Sequence, residues 1–170
     1  MDEQNHRIMD RRTLLVRGGA ATVGAVGVTV AGVATAAPAL AAGLMYNPVA
    51  PYRSYDSRDD SDGKLAAGFG RFVQVANAAK DVPLTAVAVT FNLTITETEG
   101  RGYLGVVPAE STDFSVSTIN WVVPGLDLAN GGTTKIGKNS KSDPGSVAVY
   151  CESSSSGKTH FIIDVTGFFA

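Results

Sequence analysis

Cysteine and histidine are scarce in this sequence of 170 residues, which contains one cysteine, Cys151, and two histidines. A single thiol excludes an intrachain disulfide framework and a metal site made of several cysteines. Only His160 lies outside the N-terminal segment, so nucleophilic catalysis has a single histidine base available in the rest of the chain. The Gly-x-Ser-x-Gly motif of many serine hydrolases is also missing. These absences predict a protein that is not an enzyme.

An excess of basic residues is missing as well, since 14 lysines and arginines stand against 16 acidic residues for a net charge of −2. Nucleic-acid binding needs a basic surface to engage phosphates, so we expect no nucleic-acid partner. Hydrophobic residues make up 44% of the chain and charged residues 18%, which supplies a core and excludes a disordered polyelectrolyte. The length suits one ordinary domain with appendages.

Charged residues are absent from positions 18–52, whereas four arginines lie within the first seventeen residues. A basic segment followed by an apolar one is typical of an export signal. The adjacent Arg11 and Arg12, followed after one residue by two leucines, resemble a twin-arginine signal, which is an address read by a receptor. Small residues at Ala39 and Ala41 predict cleavage after Ala41. We therefore predict the twin-arginine translocase and a signal peptidase as partners, and a secreted or cell-surface protein.

The apolar part of this signal is only weakly hydrophobic, because it consists mainly of glycine, alanine and valine. A permanent membrane helix needs about 20 strongly apolar residues, and glycine weakens a helix. We therefore predict a cleaved signal at residues 1–41 and no permanent membrane span, with a single-span anchor as the alternative. Residues 42–52, which lack charge and contain Pro48 and Pro51, predict a linker, and residues 53–170 a folded domain.

The clearest periodicity of this domain is the alternation over residues 87–95, where odd positions are large and apolar and even positions are small or polar. This pattern predicts a half-buried strand whose threonine-rich face meets solvent. Cys151 alternates with two valines and is predicted to be a small buried hydrophobic residue. Six further segments, all short and β-branched or aromatic, are predicted strands: residues 72–76, 103–107, 116–122, 133–136, 147–151 and 161–165.

Polar links separate these predicted strands, and the links at residues 97–102 and 153–158 predict hairpins. No window after the signal shows a helical period of useful length. Short strands at spacings near a dozen residues predict an all-β fold, namely an antiparallel β-sandwich. A jelly roll and a closed barrel are the neighbouring alternatives.

The densest acidic run, residues 56–62, offers Asp56, Asp60 and Asp62 as oxygen ligands of the kind that calcium prefers. The run departs from the EF-hand template, because Arg58 occupies the position of the first ligand. Two interpretations stay open: a calcium-assisted binding site that uses these four residues, and a turn in which aspartates cap their own backbone. No other cofactor is indicated, and the identity of any metal is unknown.

Polar side chains also interrupt the apolar strands. A carboxylate within the run that contains Asp164 is costly to bury unless it is paired, and an arginine offers a suitable fork of donors. We therefore predict a structural network of ion pairs and amides made of Arg53, Asp56, Arg58, Asn92, Asn120 and Asp164. The indole of Trp121 is a further binding candidate, as an exposed stacking face.

Short motifs occur in a fixed order between residues 53 and 169. The specific ones are Arg53-x-x-Asp56-Ser57-Arg58 at the start and Asp-Val-Thr-Gly-Phe-Phe from Asp164 onward. Together they resemble a β-rich domain of exported and surface proteins of high-GC Gram-positive bacteria. The resemblance implies a non-catalytic accessory module that adheres to cell wall, polysaccharide or protein, and it implies no catalytic residues.

The sequence thus predicts an exported, non-catalytic binding or structural module, with a wall polymer or another glycan as its ligand. One alternative is a small secreted hydrolase, which would need two carboxyl groups across a groove, about 5 to 9.5 Å apart. Its candidate carboxylates are Glu97, Glu99, Glu110, Asp113 and Asp127. The other alternative is a self-assembling surface or virion component, which a long, flat and uncharged edge strand would favour.

Overall fold

The computed structural model describes residues 43–153 and 156–170, which form ten strands and one short 3₁₀ helix, Ala78–Lys80. The predicted export signal, including Arg11, Arg12, Ala39 and Ala41, lies outside the described residues and stays a prediction. Within the two described ranges, no helix is long and apolar enough to cross a membrane. The strands are β1 (Tyr46–Asp56), β2 (Leu65–Ala66), β3 (Phe69–Gln74), β4 (Ala88–Glu99), β5 (Gly102–Pro108), β6 (Ile119–Trp121), β7 (Leu128–Lys135), β8 (Gly137–Lys138), β9 (Pro144–Glu152) and β10 (Lys158–Phe169).

These strands form two sheets in which every described strand pair is antiparallel. The first sheet has the order β1-β10-β4-β7, with β2 beside β10. The second sheet has the order β3-β9-β5-β6, with β8 beside β9. The strands thus belong to two separate sheets and not to one closed sheet. The predicted all-β antiparallel sandwich is confirmed.

The hydrophobic core lies between the two sheets. The odd residues of β4 from Val89 to Ile95 are at most 4% exposed, and they share one cluster with Val149 and Cys151 of β9. The predicted alternation is confirmed over residues 88–95, because the even residues there are only partly buried. It fails at Val87, which precedes β4 and is 40% exposed. Each fully buried large apolar side chain stabilises the fold by about 1.5 to 3 kcal/mol.

Cys151 behaves as the small buried hydrophobic residue that its position predicts. It is fully buried as a free cysteine, and burial raises the pKa of its thiol to about 12. A thiol that stays protonated and inaccessible is unreactive.

The linker prediction is wrong for residues 46–52, because this segment belongs to β1 and pairs with β10. Pro48 and Pro51 suggest an irregular linker, but proline is tolerated on an edge strand, where its missing N–H can face away from the sheet. The register of β1 shifts between Pro48 and Tyr52, so the prolines coincide with an irregularity of the edge. The folded domain therefore begins before residue 53.

Both hairpin predictions are wrong as well. The link after β4 leads from the first sheet to β5 in the second sheet, and the link after β9 leads back to β10 in the first sheet. The periodicity of a sequence marks where strands end, but the same short polar link can join neighbours in one sheet or cross the roughly 10 Å between packed sheets. The choice depends on which faces pack, which is a property of the whole chain.

Candidate functional site

A row of polar side chains crosses the outward face of the first sheet. Arg53 of β1 lies opposite Asp164 of β10, which in turn lies opposite Asn92 of β4. The guanidinium of Arg53 donates to both carboxylate oxygens of Asp164, from Nε at 3.0 Å and from Nη2 at 3.4 Å. Asn92 donates from Nδ2 to Thr94 Oγ1 at 3.1 Å. The network therefore places a forked arginine on the strand carboxylate, as the cost of leaving a carboxylate unpaired suggests.

Asp56 is held between two arginines at the end of β1. Arg58 donates from Nη2 to Oδ2 at 2.6 Å and from Nε to Oδ1 at 2.9 Å, and Arg53 donates from Nη1 to Oδ2 at 3.2 Å. These donors, led by the Arg58 guanidinium, lower the pKa of Asp56 to about 2 even though burial alone would raise it. Asp56 is 9% exposed, so its charge is compensated inside the protein.

Asp60 of the acidic run is also engaged within the chain, whereas Asp59 and Asp62 are exposed. Asp60 accepts from the hydroxyl of Tyr55 at 2.5 Å and from the backbone N–H of Asp62 at 3.0 Å. Burial is the main cause that raises the pKa of Tyr55 to about 12. Across residues 43–153 and 156–170, no group of three or more His, Cys, Asp and Glu side chains is arranged to hold a metal ion. The contacts of Asp56 and Asp60 are those of a turn whose aspartates cap backbone N–H groups.

Asn120 and Trp121 do not join either group. Asn120 lies exposed on β6 of the second sheet, opposite Tyr103, so it is not part of the row on the first sheet. Trp121 is 2% exposed, and its indole Nε1 donates to the carbonyl of Glu99 at 3.3 Å. The prediction of an exposed stacking face at Trp121 is wrong, because β6 directs the indole into the core between the sheets.

The structure brings His160 next to Ser57, a contact that the sequence did not reveal. The imidazole Nδ1 lies 2.9 Å from Ser57 Oγ, and the same oxygen accepts from the backbone N–H of Phe161 at 2.8 Å. Ser57 is fully buried, so its hydroxyl fastens the end of β1 to β10 and is closed to a substrate. A serine–histidine pair in this position is a structural contact.

An aromatic groove lies on the outward face of the second sheet, and we define it by Phe72, Phe114 and Tyr150. Phe69, at the start of β3, borders its rim from the opposite face of the strand, because it lies opposite Cys151 whereas Phe72 lies opposite Ala148. The two phenylalanines of β3 are 67% and 45% exposed, and Phe114, from the segment between β5 and β6, is 44% exposed. The rings of Phe114 and Tyr150 meet edge to face, with centroids 4.9 Å apart. Together with Ala148 these side chains border a hollow of about 180 Å³.

Glycines keep this groove open. Gly68 and Gly70 flank Phe69 and line the hollow, so no side chain covers the floor between the rings. Beneath Tyr150, a Cβ at Gly105 would lie 2.3 Å from the phenol ring, so the ring rests directly on the backbone of β5. The Tyr150 hydroxyl donates to the carbonyl of Val116, which holds the segment that carries Phe114.

Two charged residues, Arg71 and Glu152, complete the lining of the groove. Arg71 donates from Nη1 to the Tyr55 hydroxyl at 2.7 Å and to the carbonyl of Gly63 at 2.9 Å. Its guanidinium lies 5.9 Å from the ring centre of Phe161, within the range of a cation–π contact. The guanidinium of Arg71 therefore faces the first sheet and anchors β3 to the loop that follows β1.

The sequence did not point to Phe69, Phe72 and Phe114 as binding residues. Two of them fall in or beside a predicted strand, where an aromatic residue is expected to face the core. The available signal is the glycine spacing of Gly-Phe-Gly-Arg-Phe from residue 68, since a glycine beside an aromatic residue leaves the ring uncovered. The partnership of β3 with Phe114 and Tyr150 is long-range and has no local signature.

The fold and the groove define a small antiparallel β-sandwich with an exposed aromatic surface on one sheet. Comparisons with protein families, with curated proteins and with solved structures gave no significant match to this chain.

Proposed function

We propose that this protein is an exported, non-catalytic binding module of the cell surface or the extracellular space, and that its ligand is a wall polysaccharide or a related glycan. The aromatic groove is the binding surface. The observation that carries the proposal is the exposure of Phe72 and Phe114 beside Tyr150, around one hollow of about 180 Å³ that Phe69 borders at its rim. The basic and apolar N-terminal pattern supports export, and the motifs at both ends of the domain support an adhesive role.

Clustered exposed aromatic rings mark an interaction surface, because single exposed apolar residues are normal on a protein but a contiguous patch is not. A sugar ring presents an apolar C–H face that can pack on a phenylalanine ring, while its hydroxyls need polar partners. Glu152 supplies such a partner at the border of the apolar hollow. An apolar site with a few polar groups is the usual composition of a small-ligand site.

The hydrolase alternative has less support in the described residues. Glycoside hydrolysis uses two carboxyl groups across the substrate, and Glu152 is the single carboxylate among the described residues that line the groove. Other candidate carboxylates are engaged elsewhere: Glu99 pairs with Lys64 at 2.8 Å, and Glu110 accepts from the backbone N–H of Lys138 at 2.7 Å. Because these carboxylates are engaged within the protein, their contacts favour a non-catalytic binding function over hydrolysis.

The proposal is tested by retention of the purified protein on insoluble cell-wall polysaccharide, with and without a chelator. We expect retention that is independent of the chelator and that falls in Phe72→Ala, while Val122→Ala, an exposed apolar residue outside the groove, keeps it. Retention that disappears on chelation would indicate a calcium-assisted binding site at residues 56–62 instead of the groove. No retention on any wall polysaccharide would overturn the glycan proposal.

A further inference from the structure

The two outer strands of the first sheet differ in how their free edges are protected. β1 contains Pro48, Pro51 and Arg53, and its register with β10 shifts twice. Prolines, charges and bulges on an edge strand are devices that prevent pairing with another chain. The edge that β1 exposes is therefore closed to strand addition.

β7, at the opposite end of the same sheet, has no proline and no register shift, and its one charged residue is Lys135 at its last position. From Leu128 to Thr134 the strand is Leu-Ala-Asn-Gly-Gly-Thr-Thr, without a charge and without a proline. Its eight residues pair with β4 without a register shift, so the strand is regular. A regular and exposed edge that is uncharged over seven residues is a template for pairing with another strand.

The hydrogen-bond alternation of β7 identifies the groups that are free to pair. The N–H of Ile136 donates to the carbonyl of Val87 at 2.9 Å, so every second residue back from Ile136 bonds to β4. The residues between them, Ala129, Gly131 and Thr133, direct their N–H and C=O groups away from the sheet. Among the described residues, no backbone bond outside the sheets reaches these three.

We propose that β7 pairs antiparallel with β7 of a second copy of this chain, about a twofold axis at Gly131. In this register Ala129 lies opposite Thr133 of the second copy, and the first sheets of the two copies become one continuous sheet. Ala129, Gly131 and Thr133 of each copy then exchange backbone hydrogen bonds with the same three residues of the other copy. The axis falls where neither copy has a side chain, and the interface is isologous, as twofold symmetry requires.

Charge complementarity selects a second copy as the partner and selects this register. Asp127 and Lys135 lie four residues before and four residues after Gly131, so the lysine of each copy faces the aspartate of the other. The dimer thus contains two such charge pairs. Asp127 uses only Oδ1 in its described contacts, with Thr96 Oγ1 and the backbone N–H of Glu97, so Oδ2 can accept from the lysine. Slipping the register by two residues keeps backbone bonds but separates both charge pairs.

The tests measure the mass of the purified protein by sedimentation across a concentration series that reaches about 100 µM. We expect the wild-type protein to be a dimer. Gly131→Lys places two like charges on the axis and should raise the dimer dissociation constant at least tenfold, whereas it should not strain the monomer, because a Cβ there meets nothing closer than 3.9 Å. Gly70→Lys, on the edge strand of the other sheet, is the matched control and should leave the dimer intact.

A charge exchange tests the register without introducing a bulky group. Lys135→Asp should weaken the dimer, and adding Asp127→Lys should restore it, which a purely structural role of either residue would not produce. A monomer at every concentration, or a dimer that both Gly131→Lys and Lys135→Asp leave unchanged, would overturn the proposal. The dimer proposal is independent of the glycan proposal, since Gly131→Lys leaves the groove intact and Gly70→Lys alters the groove alone.

Discussion

The outward faces of the two sheets differ in how far their side chains are already satisfied by the protein. On the first sheet, Arg53, Asp56, Arg58 and Asp164 bind one another through forked hydrogen bonds. On the second sheet, Phe72 and Phe114 stay exposed around an open hollow beside Tyr150. A ligand at the first face would have to displace ion pairs. A ligand at the second face would instead remove exposed apolar rings from contact with water, which is favourable. The polar face therefore stabilises the fold, and the aromatic face is the one suited to binding.

The largest loss of stability is expected from removing the Asp56 carboxylate at the centre of the polar face. Asp56→Ala leaves the guanidiniums of Arg58 and Arg53 without their shared acceptor, and we expect the free energy of unfolding to fall by about 3 kcal/mol. Chemical denaturation measures the change. Asp59→Ala, an exposed neighbour in the same run, is the matched control and should change stability by less than about 0.5 kcal/mol. Equal losses in both variants would contradict the role of Asp56.

A second substitution disturbs the aromatic face by adding a methyl group beneath the ring of Tyr150. Gly105→Ala forces a methyl group against the ring of Tyr150, where the closest approach would be 2.3 Å. We expect a loss of about 2 kcal/mol, because overpacking displaces the ring. In Gly70→Ala the nearest atom is 3.6 Å away, so this matched substitution should leave the free energy of unfolding nearly unchanged. Thermal or chemical unfolding of the two variants compares them.

The pH dependence of stability reports the same Asp56 site. Its pKa falls from an ordinary value of 3.8 to about 2 in the folded protein, so its ionised form stabilises the fold above the unfolded-state pKa. This contribution, about 2 kcal/mol, is lost as the pH falls through roughly 4 to 2. The stability difference between the wild-type protein and Asp56→Ala should therefore shrink between pH 5 and pH 2. A difference that does not change over this range would rule out the ionised carboxylate as the cause.

The smallest loss of stability is expected at Asp164, in the middle of the polar row. Asp164→Asn keeps the size of the side chain but removes the charge that Arg53 binds, and Arg53 has a half-exposed side chain. We expect a loss of about 1 kcal/mol in unfolding free energy and unchanged retention on polysaccharide. If stability stayed the same and binding disappeared, the polar face would be the binding face.

The parts of the fold that follow from the sequence are those with a local cause. The alternation along β4 marks its buried and solvent-facing sides because side chains of a strand alternate. The need of Asp164 for an arginine likewise follows from the cost of an unpaired carboxylate in an apolar run. β1 escaped prediction because its prolines are tolerated only through its position at the edge of the sheet, which no local pattern reveals.

The candidate site was less predictable than the fold, for a physical reason. The groove depends on Phe114 and Tyr150 meeting across the outward face of the second sheet, and on glycines that leave the rings uncovered. Aromatic residues in a sequence do not show whether they face the core or solvent, and Trp121 is buried while Phe69 is exposed. Only the assignment of strands to sheets decides between these outcomes.

The most direct test of the contrast between the two faces is a binding isotherm of the purified protein on wall polysaccharide for one variant on each face. We predict that Phe72→Ala raises the dissociation constant about tenfold, since an exposed aromatic contact contributes more than about 1 kcal/mol. Thr94→Ala, on the outward face of the first sheet, should leave the isotherm unchanged. Equal affinities for Phe72→Ala and the wild-type protein, or a loss confined to Thr94→Ala, would contradict the account.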